Sequence, residues 1–156
     1  MHALALKVPP LAVGLLIAAI MWLAAWATPT LTFVFPARSF FSVAFVVTGA
    51  VISGLGIASF RRAKTTVNPM KPDSSSSLVV SGVAGIYTYT RNPMYLGFLL
   101  ILVGWAIFLS NVLAFFLLPG FILYMNRFQI EPEERALSAL FADEYSEYHA
   151  KVRRWV

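Results

Sequence analysis

Of the chain's 156 residues, 59% are hydrophobic and only 12% charged, against the roughly 25% charged residues of a soluble domain, and the mean hydropathy is +0.75. There is no cysteine, which excludes disulfides, thiolate metal sites and cysteine nucleophiles, and the only histidines, His2 and His149, sit near opposite ends, which argues against a transition-metal centre. The net charge of +5 is read as membrane topology rather than nucleic-acid binding, so the composition points to one all-α integral membrane domain over 1–156.

Four apolar segments are expected to span the bilayer, at about 11–27, 40–60, 94–109 and 112–128; a span takes about 20 helical residues, so the third is short. The first ends in Ala25-Trp26-Ala27, which mimics a signal-peptidase site, but its charged leader is thin and it is read as a retained helix. The second carries Gly49 and Ser53 in a small-xxx-small spacing that lets two helices approach closely.

The 61–93 stretch changes character. It holds Asn68-Pro69, Lys71-Pro72-Asp73 and the run Ser74–Ser77, then turns apolar from Leu78 to Tyr87. A serine run is ordinarily a linker; the apolar part suits irregular backbone lining a cavity at the interface. The third and fourth segments are separated by little more than Ser110-Asn111, which predicts an antiparallel hairpin, and Pro119-Gly120 should bend or loosen the second of these helices.

Beyond them Leu137, Leu140, Phe141, Tyr145, Tyr148 and Val152 recur at helical spacing. This predicts a C-terminal amphipathic cytoplasmic helix over 132–152, with Pro132 in its first turn and Glu133 and Glu134 at the positive end of its dipole. Of the twelve Lys and Arg residues, Arg38 alone falls in the loop between the first two segments. The other eleven place both termini and the 61–93 loop in the cytoplasm by the positive-inside rule.

The chemistry-bearing stretch is Thr90–Gly97, TRNPMYLG. Pro93 suits the first helical position and Asn92 the cap before it. The plain reading is a capped helix with Arg91 as an interfacial anchor. The hairpin, however, returns Glu133 and Glu134 to the same end as Arg91, Asn92, Tyr87 and Tyr95. Aromatic walls, an amide and carboxylates at one mouth suit a positively charged, nucleotide-like cofactor. The alternatives for the glutamate pair are dipole complement or structural partners of Arg91.

The order "GIYTYTRNPMYLG", hairpin, "PEERALSALFADEYSEYHAKVRRWV" resembles the isoprenylcysteine carboxyl methyltransferases and their relatives, the integral-membrane phospholipid methyltransferases. The resemblance covers about 65–152. It implies S-adenosylmethionine bound at the cytoplasmic face, and a lipophilic acceptor entering from the bilayer (the inner membrane in a bacterium). By position it makes Leu78, Val79, Tyr87, Asn92, Pro93, Met94, Tyr95 and Glu133 the cofactor-binding residues. Asn92 stands where eukaryotic members have His, Val83-Ala84-Gly85 resembles an insertion, Gln129 replaces a substrate-binding arginine with Arg127 nearby, and Ala142 replaces a glycine.

Methyl transfer from a sulfonium needs positioning more than acid–base chemistry. Arg91 or Arg127 would hold the charge of a carboxylate- or phosphate-bearing acceptor, and Glu134 or a tyrosine would serve as base for an amine. The rival readings are an NADPH-dependent membrane reductase of the sterol-reductase type and a non-enzymatic membrane scaffold or transporter subunit. The acceptor and the oligomeric state are not specified by these residues.

Overall fold

The computed structural model describes residues 8–62 and 85–156, and the fold within them is helical. Helix α1 runs Pro10–Ala27 and α2 Arg38–Arg62. After a 3₁₀ turn at Gly85–Thr88 come α3, Pro93–Leu109, and α4, Val112–Met125. A π turn, Asn126–Ile130, leads directly into α5, Glu131–Lys151. No strand occurs among the described residues; Thr32 and Asn111 form a single bridge pair.

Among the described residues three helical stretches are long and apolar enough to cross a membrane: Pro10–Ala27, Arg38–Ser59 and Val112–Lys151, the last kinked at Ala142. Helix α3 is apolar but shorter, at 17 residues. The outward faces are as greasy as the inward ones. Leu15 is 64% exposed, Phe116 72% and Leu123 68%. A helix apolar all round is at home in lipid, not water.

The helices are fastened by a few specific devices. Helices α2 and α3 approach so closely that a Cβ on Gly49 would lie 2.5 Å from the carbonyl oxygen of Gly97. The Ser53 hydroxyl, one turn on, donates to the Met94 carbonyl at 3.2 Å. This is the small-xxx-small spacing of α2 put to use. Trp105 Nε1 donates to the Ala18 carbonyl at 3.1 Å, tying α3 to α1. Ser110 takes the left-handed conformation that ends α3, with φ 49°. Buried Asn111 then caps α4 by accepting from the Leu113 N–H at 2.9 Å, and donates to the Thr28 carbonyl at 2.9 Å.

Helix α4 continues through Pro119 and Gly120. The irregularity falls later, at the π turn. Pro132 lacks an N–H and its ring would clash with the carbonyl four residues back, that of Phe128, so a widened turn there relieves both. The expected separate C-terminal helix is therefore the continuation of the helix before it. Glu133 and Glu134 have no free helix N-terminus to complement, because Ile130 and Glu131 are already helical. The predicted dipole role is thereby corrected. The amphipathic stripe is also imperfect: Tyr145 is buried but Leu140 is 45% exposed.

Candidate active site

The motif Thr90–Tyr95 occupies the entry to α3. Pro93 is its first residue, as its fixed φ and missing N–H favour. Asn92 holds the cap position but its side chain does not cap; its Nδ2 donates instead to the Arg154 carbonyl at 3.0 Å. Buried Thr90 accepts from the Asn92 N–H at 3.2 Å and donates to the same carbonyl at 3.3 Å. The Arg91 N–H donates to the Arg153 carbonyl at 3.0 Å. The last residues of the chain thus lie along the motif. Tyr87, in the 3₁₀ turn ahead of it, is buried, and its carbonyl accepts from the Tyr148 hydroxyl at 3.0 Å. Met94 is half-buried against the core.

The two glutamates of α5 face different partners. The Tyr95 hydroxyl donates to Glu133 Oε1 at 2.5 Å. Burial pushes the Glu133 carboxyl up to about 7; the Tyr95 hydrogen bond pulls the other way and the neighbouring Glu134 charge adds to the rise. Burial, with Tyr148 and Glu133 nearby, raises the Tyr87 phenol as well. Glu134 sits between two guanidinium groups. Arg91 NH2 lies 3.2 Å from its Oε1, and Arg154 reaches it with Nε at 3.2 Å and NH2 at 2.6 Å. The Arg91 and Glu134 side chains are only 8% and 14% exposed. Arg91 Nε is buried and has no hydrogen-bond partner among the described residues.

The structure thus brings Tyr87, Asn92, Tyr95, Glu133, Arg91 and Glu134 into one polar cluster at the end of an apolar bundle. Arg127 pairs instead with Glu131 at 2.8 Å, a half-exposed i,i+4 contact of the kind worth about 0–1 kcal/mol. Leu78 and Val79 lie outside the described residues. Gln129 is fully buried in the π turn and donates to the Val8 carbonyl at 2.7 Å. Sequence reasoning missed Arg154, Thr90 and Tyr148. By sequence the arginine reads as topology alone, and a tail without periodicity offers no signal to place it.

The cluster has the chemistry to hold a zwitterionic, cationic ligand. Glu133 offers a half-buried carboxylate beside the Tyr87 and Tyr95 phenols, suited to an ammonium or sulfonium. The unpartnered Arg91 Nε offers a donor to an anionic oxygen. A shallow depression is lined by Glu131, Glu134, Arg135 and Ser138, next to Glu133 in sequence.

The sequence profile of the phospholipid methyltransferases matches residues 37–144. Two rice proteins, each described as a probable protein-S-isoprenylcysteine O-methyltransferase, from Oryza sativa subsp. indica and subsp. japonica, are 33% identical over 117 residues, 73% of this chain. The match spans 58% of the length of each rice protein. An uncharacterised Haemophilus influenzae protein is 51% identical over 63 residues, 40% of this chain and the whole of that one. No solved structure matches significantly. With the profile covering both the Thr90–Gly97 motif and the Glu133–Glu134 pair that the fold brings to it, the chain belongs to the phospholipid methyltransferase family.

Proposed function

We propose that the protein is an S-adenosylmethionine-dependent methyltransferase acting on a lipophilic or membrane-embedded acceptor at the cytoplasmic face of the membrane. In this reading all four apolar helices span, α3 and α4 form an antiparallel hairpin, and both termini are cytoplasmic. The observation that carries it is the joining of Tyr95 to Glu133 and of Arg91 to Glu134 at one end of the apolar bundle, in a chain of this family.

S-adenosylmethionine brings a methyl group already activated by its sulfonium. Glu133, with Tyr87, Asn92, Pro93, Met94 and Tyr95, binds and orients its cationic half, and Leu78 and Val79 contribute from the preceding segment. Arg91 Nε takes an anionic oxygen. Arg127 is the second basic group near the headgroup level for an acidic acceptor. Glu134, its oxygens engaged by Arg91 and Arg154, fixes Arg91 in place. The apolar walls exclude water, and alignment of the acceptor with the methyl supplies much of the rate.

The deciding experiment incubates the purified protein with methyl-labelled S-adenosylmethionine and total membrane lipids. A labelled lipid is expected, and Glu133→Gln should weaken cofactor binding by about 1.5–3 kcal/mol, the range for a hydrogen bond to a charged group. Binding of NADPH in place of S-adenosylmethionine would overturn the reading in favour of a reductase.

A further inference from the structure

The C-terminal tail is more than an end. Helix α5 stops at Lys151, and the next residues lie along the mouth of the site. The Arg153 carbonyl takes the Arg91 N–H, the Arg154 carbonyl takes Thr90 Oγ1 and Asn92 Nδ2, and Trp155 Nε1 donates to Asn126 Oδ1 in the π turn at 3.0 Å.

Two guanidinium groups share one carboxylate, Glu134. Arg154 approaches it side-on, Nε to Oε1 and NH2 to Oε2, the two-point geometry that a guanidinium fork favours. Arg91 reaches only Oε1 through NH2, while its NH1 lies 3.5 Å from the His149 carbonyl, at the limit of a hydrogen bond. Its Nε, buried, has no partner among the described residues. A buried donor left unmade costs about 1–3 kcal/mol. An acceptor oxygen reaching Arg91 Nε would remove that cost.

We propose that Arg154 is a positioning residue: by gripping both oxygens of Glu134 it holds Arg91 at the site while leaving Arg91 Nε to an anionic oxygen of a ligand. This rests on the methyltransferase reading for the identity of the ligand, which is either the carboxylate of S-adenosylmethionine or a phosphate or carboxylate on the lipid acceptor. Without the grip of Arg154, Glu134 is free to turn its second oxygen to Arg91 and satisfy Nε itself. Anion binding is then lost while the rest of the pocket stands.

The test measures binding to the full-length protein in detergent by calorimetry with two matched pairs. One is S-adenosylmethionine and its decarboxylated form; the other is dihexanoylphosphatidic acid and dihexanoylglycerol. The wild type should prefer the member that carries the carboxylate or phosphate in one of the pairs, which identifies the source, and Arg154→Gln should erase about tenfold of that preference, in line with one hydrogen bond to a charged group. Affinity for the counterpart that lacks the anionic group should not move, whereas a merely structural loss would lower both members together. Arg154→Lys keeps the charge without the fork and should fall between, and it carries the test alone if Arg154→Gln does not fold. No preference in the wild type, or equal losses for both members of a pair, overturns the proposal. If the wild type binds neither sulfonium compound, the cofactor reading fails instead, and the phosphatidic acid pair decides the role of Arg154.

Discussion

The Tyr95 hydroxyl and the Glu133 carboxylate meet at 2.5 Å, joining the first turn of α3 to the first turn of α5. One bond therefore links the motif entrance to the helix that carries both glutamates. Tyr95→Phe keeps the ring, which is 4% exposed, and removes only the donor. It should cost about 1.5–3 kcal/mol in reversible unfolding, as expected for a hydrogen bond to a charged group. It should also raise the Glu133 carboxyl further, since this bond is what holds it down. Carbon-13 NMR titration of the glutamates reads the second effect.

Glu133 makes ligand-free stability depend on pH in the reverse of the usual carboxylate sense. Its carboxyl lies at about 7 in the fold against 4.5 when unperturbed, so between those values the folded state holds the proton more tightly than the unfolded one. The stabilisation is full below about pH 4.5 and is lost as pH rises through 7, up to about 3 kcal/mol in all. Denaturation of wild type and Glu133→Gln from pH 5 to 8 should show the wild type losing ground against the variant. A cationic ligand favours the ionised form, so its binding near pH 6 should release close to one proton, detectable as a buffer-dependent binding enthalpy.

Close approach of α2 to α3 fixes where the motif sits. A Cβ on Gly97 would strike the Gly49 carbonyl and the Ser53 hydroxyl, and would stand 2.9 Å from the Ser53 nitrogen. The nearest obstacles include backbone, which cannot swing away. Gly97→Ala should lower stability by about 1–3 kcal/mol or more. Gly54→Ala, with nothing within 4 Å of its new methyl, should be neutral or slightly stabilising. Thermal melting of the two variants in one detergent checks the contrast.

How far the sequence carried depended on the kind of signal. Long apolar runs located α1, α2 and α4, because lipid-facing helices need hydrophobicity and little else. Pro93 and the two-residue link Ser110-Asn111 were legible as local chemistry. The approach of Tyr95 to Glu133 was foreseeable from the short connection. Less was visible where tertiary contacts override local rules. Asn92 has the chemistry of a cap, yet its amide goes to the Arg154 carbonyl. Pro132 reads as a helix start, but the π turn accommodates it inside a longer helix. Arg154 finds Glu134 across twenty residues of helix and tail, a pairing no spacing rule supplies.

Topology is tested by two exposed serines at opposite places in the charge pattern. Ser39 opens α2 beside Arg38, the lone basic residue of its loop, and Ser146 lies on α5 among the basic C-terminal residues. The positive-inside rule puts the first outside and the second inside. In intact cells a membrane-impermeant maleimide should label Ser39→Cys and spare Ser146→Cys until the membrane is opened. Labelling of Ser146→Cys from outside would remove the site from the cytoplasm and from its cofactor supply.

Within α5 the backbone breaks its own helix at Ala142, with φ 21° and ψ −99°. An L-residue at positive φ brings its Cβ against neighbouring backbone, at about 1–2 kcal/mol, which glycine escapes. In an ordinary helix Ala→Gly costs about 1 kcal/mol. Here the sign should invert: Ala142→Gly is expected to raise stability by about 1 kcal/mol, and Ala142→Val to lower it, since a branched Cβ tolerates positive φ still less. Reversible denaturation of the three proteins separates the cases. A loss in Ala142→Gly of the size seen in regular helices would mean that α5 runs straight through this position. The expected gain would show that residue 142 holds a positive φ in the fold, at the kink that precedes Tyr145 and Tyr148 on α5.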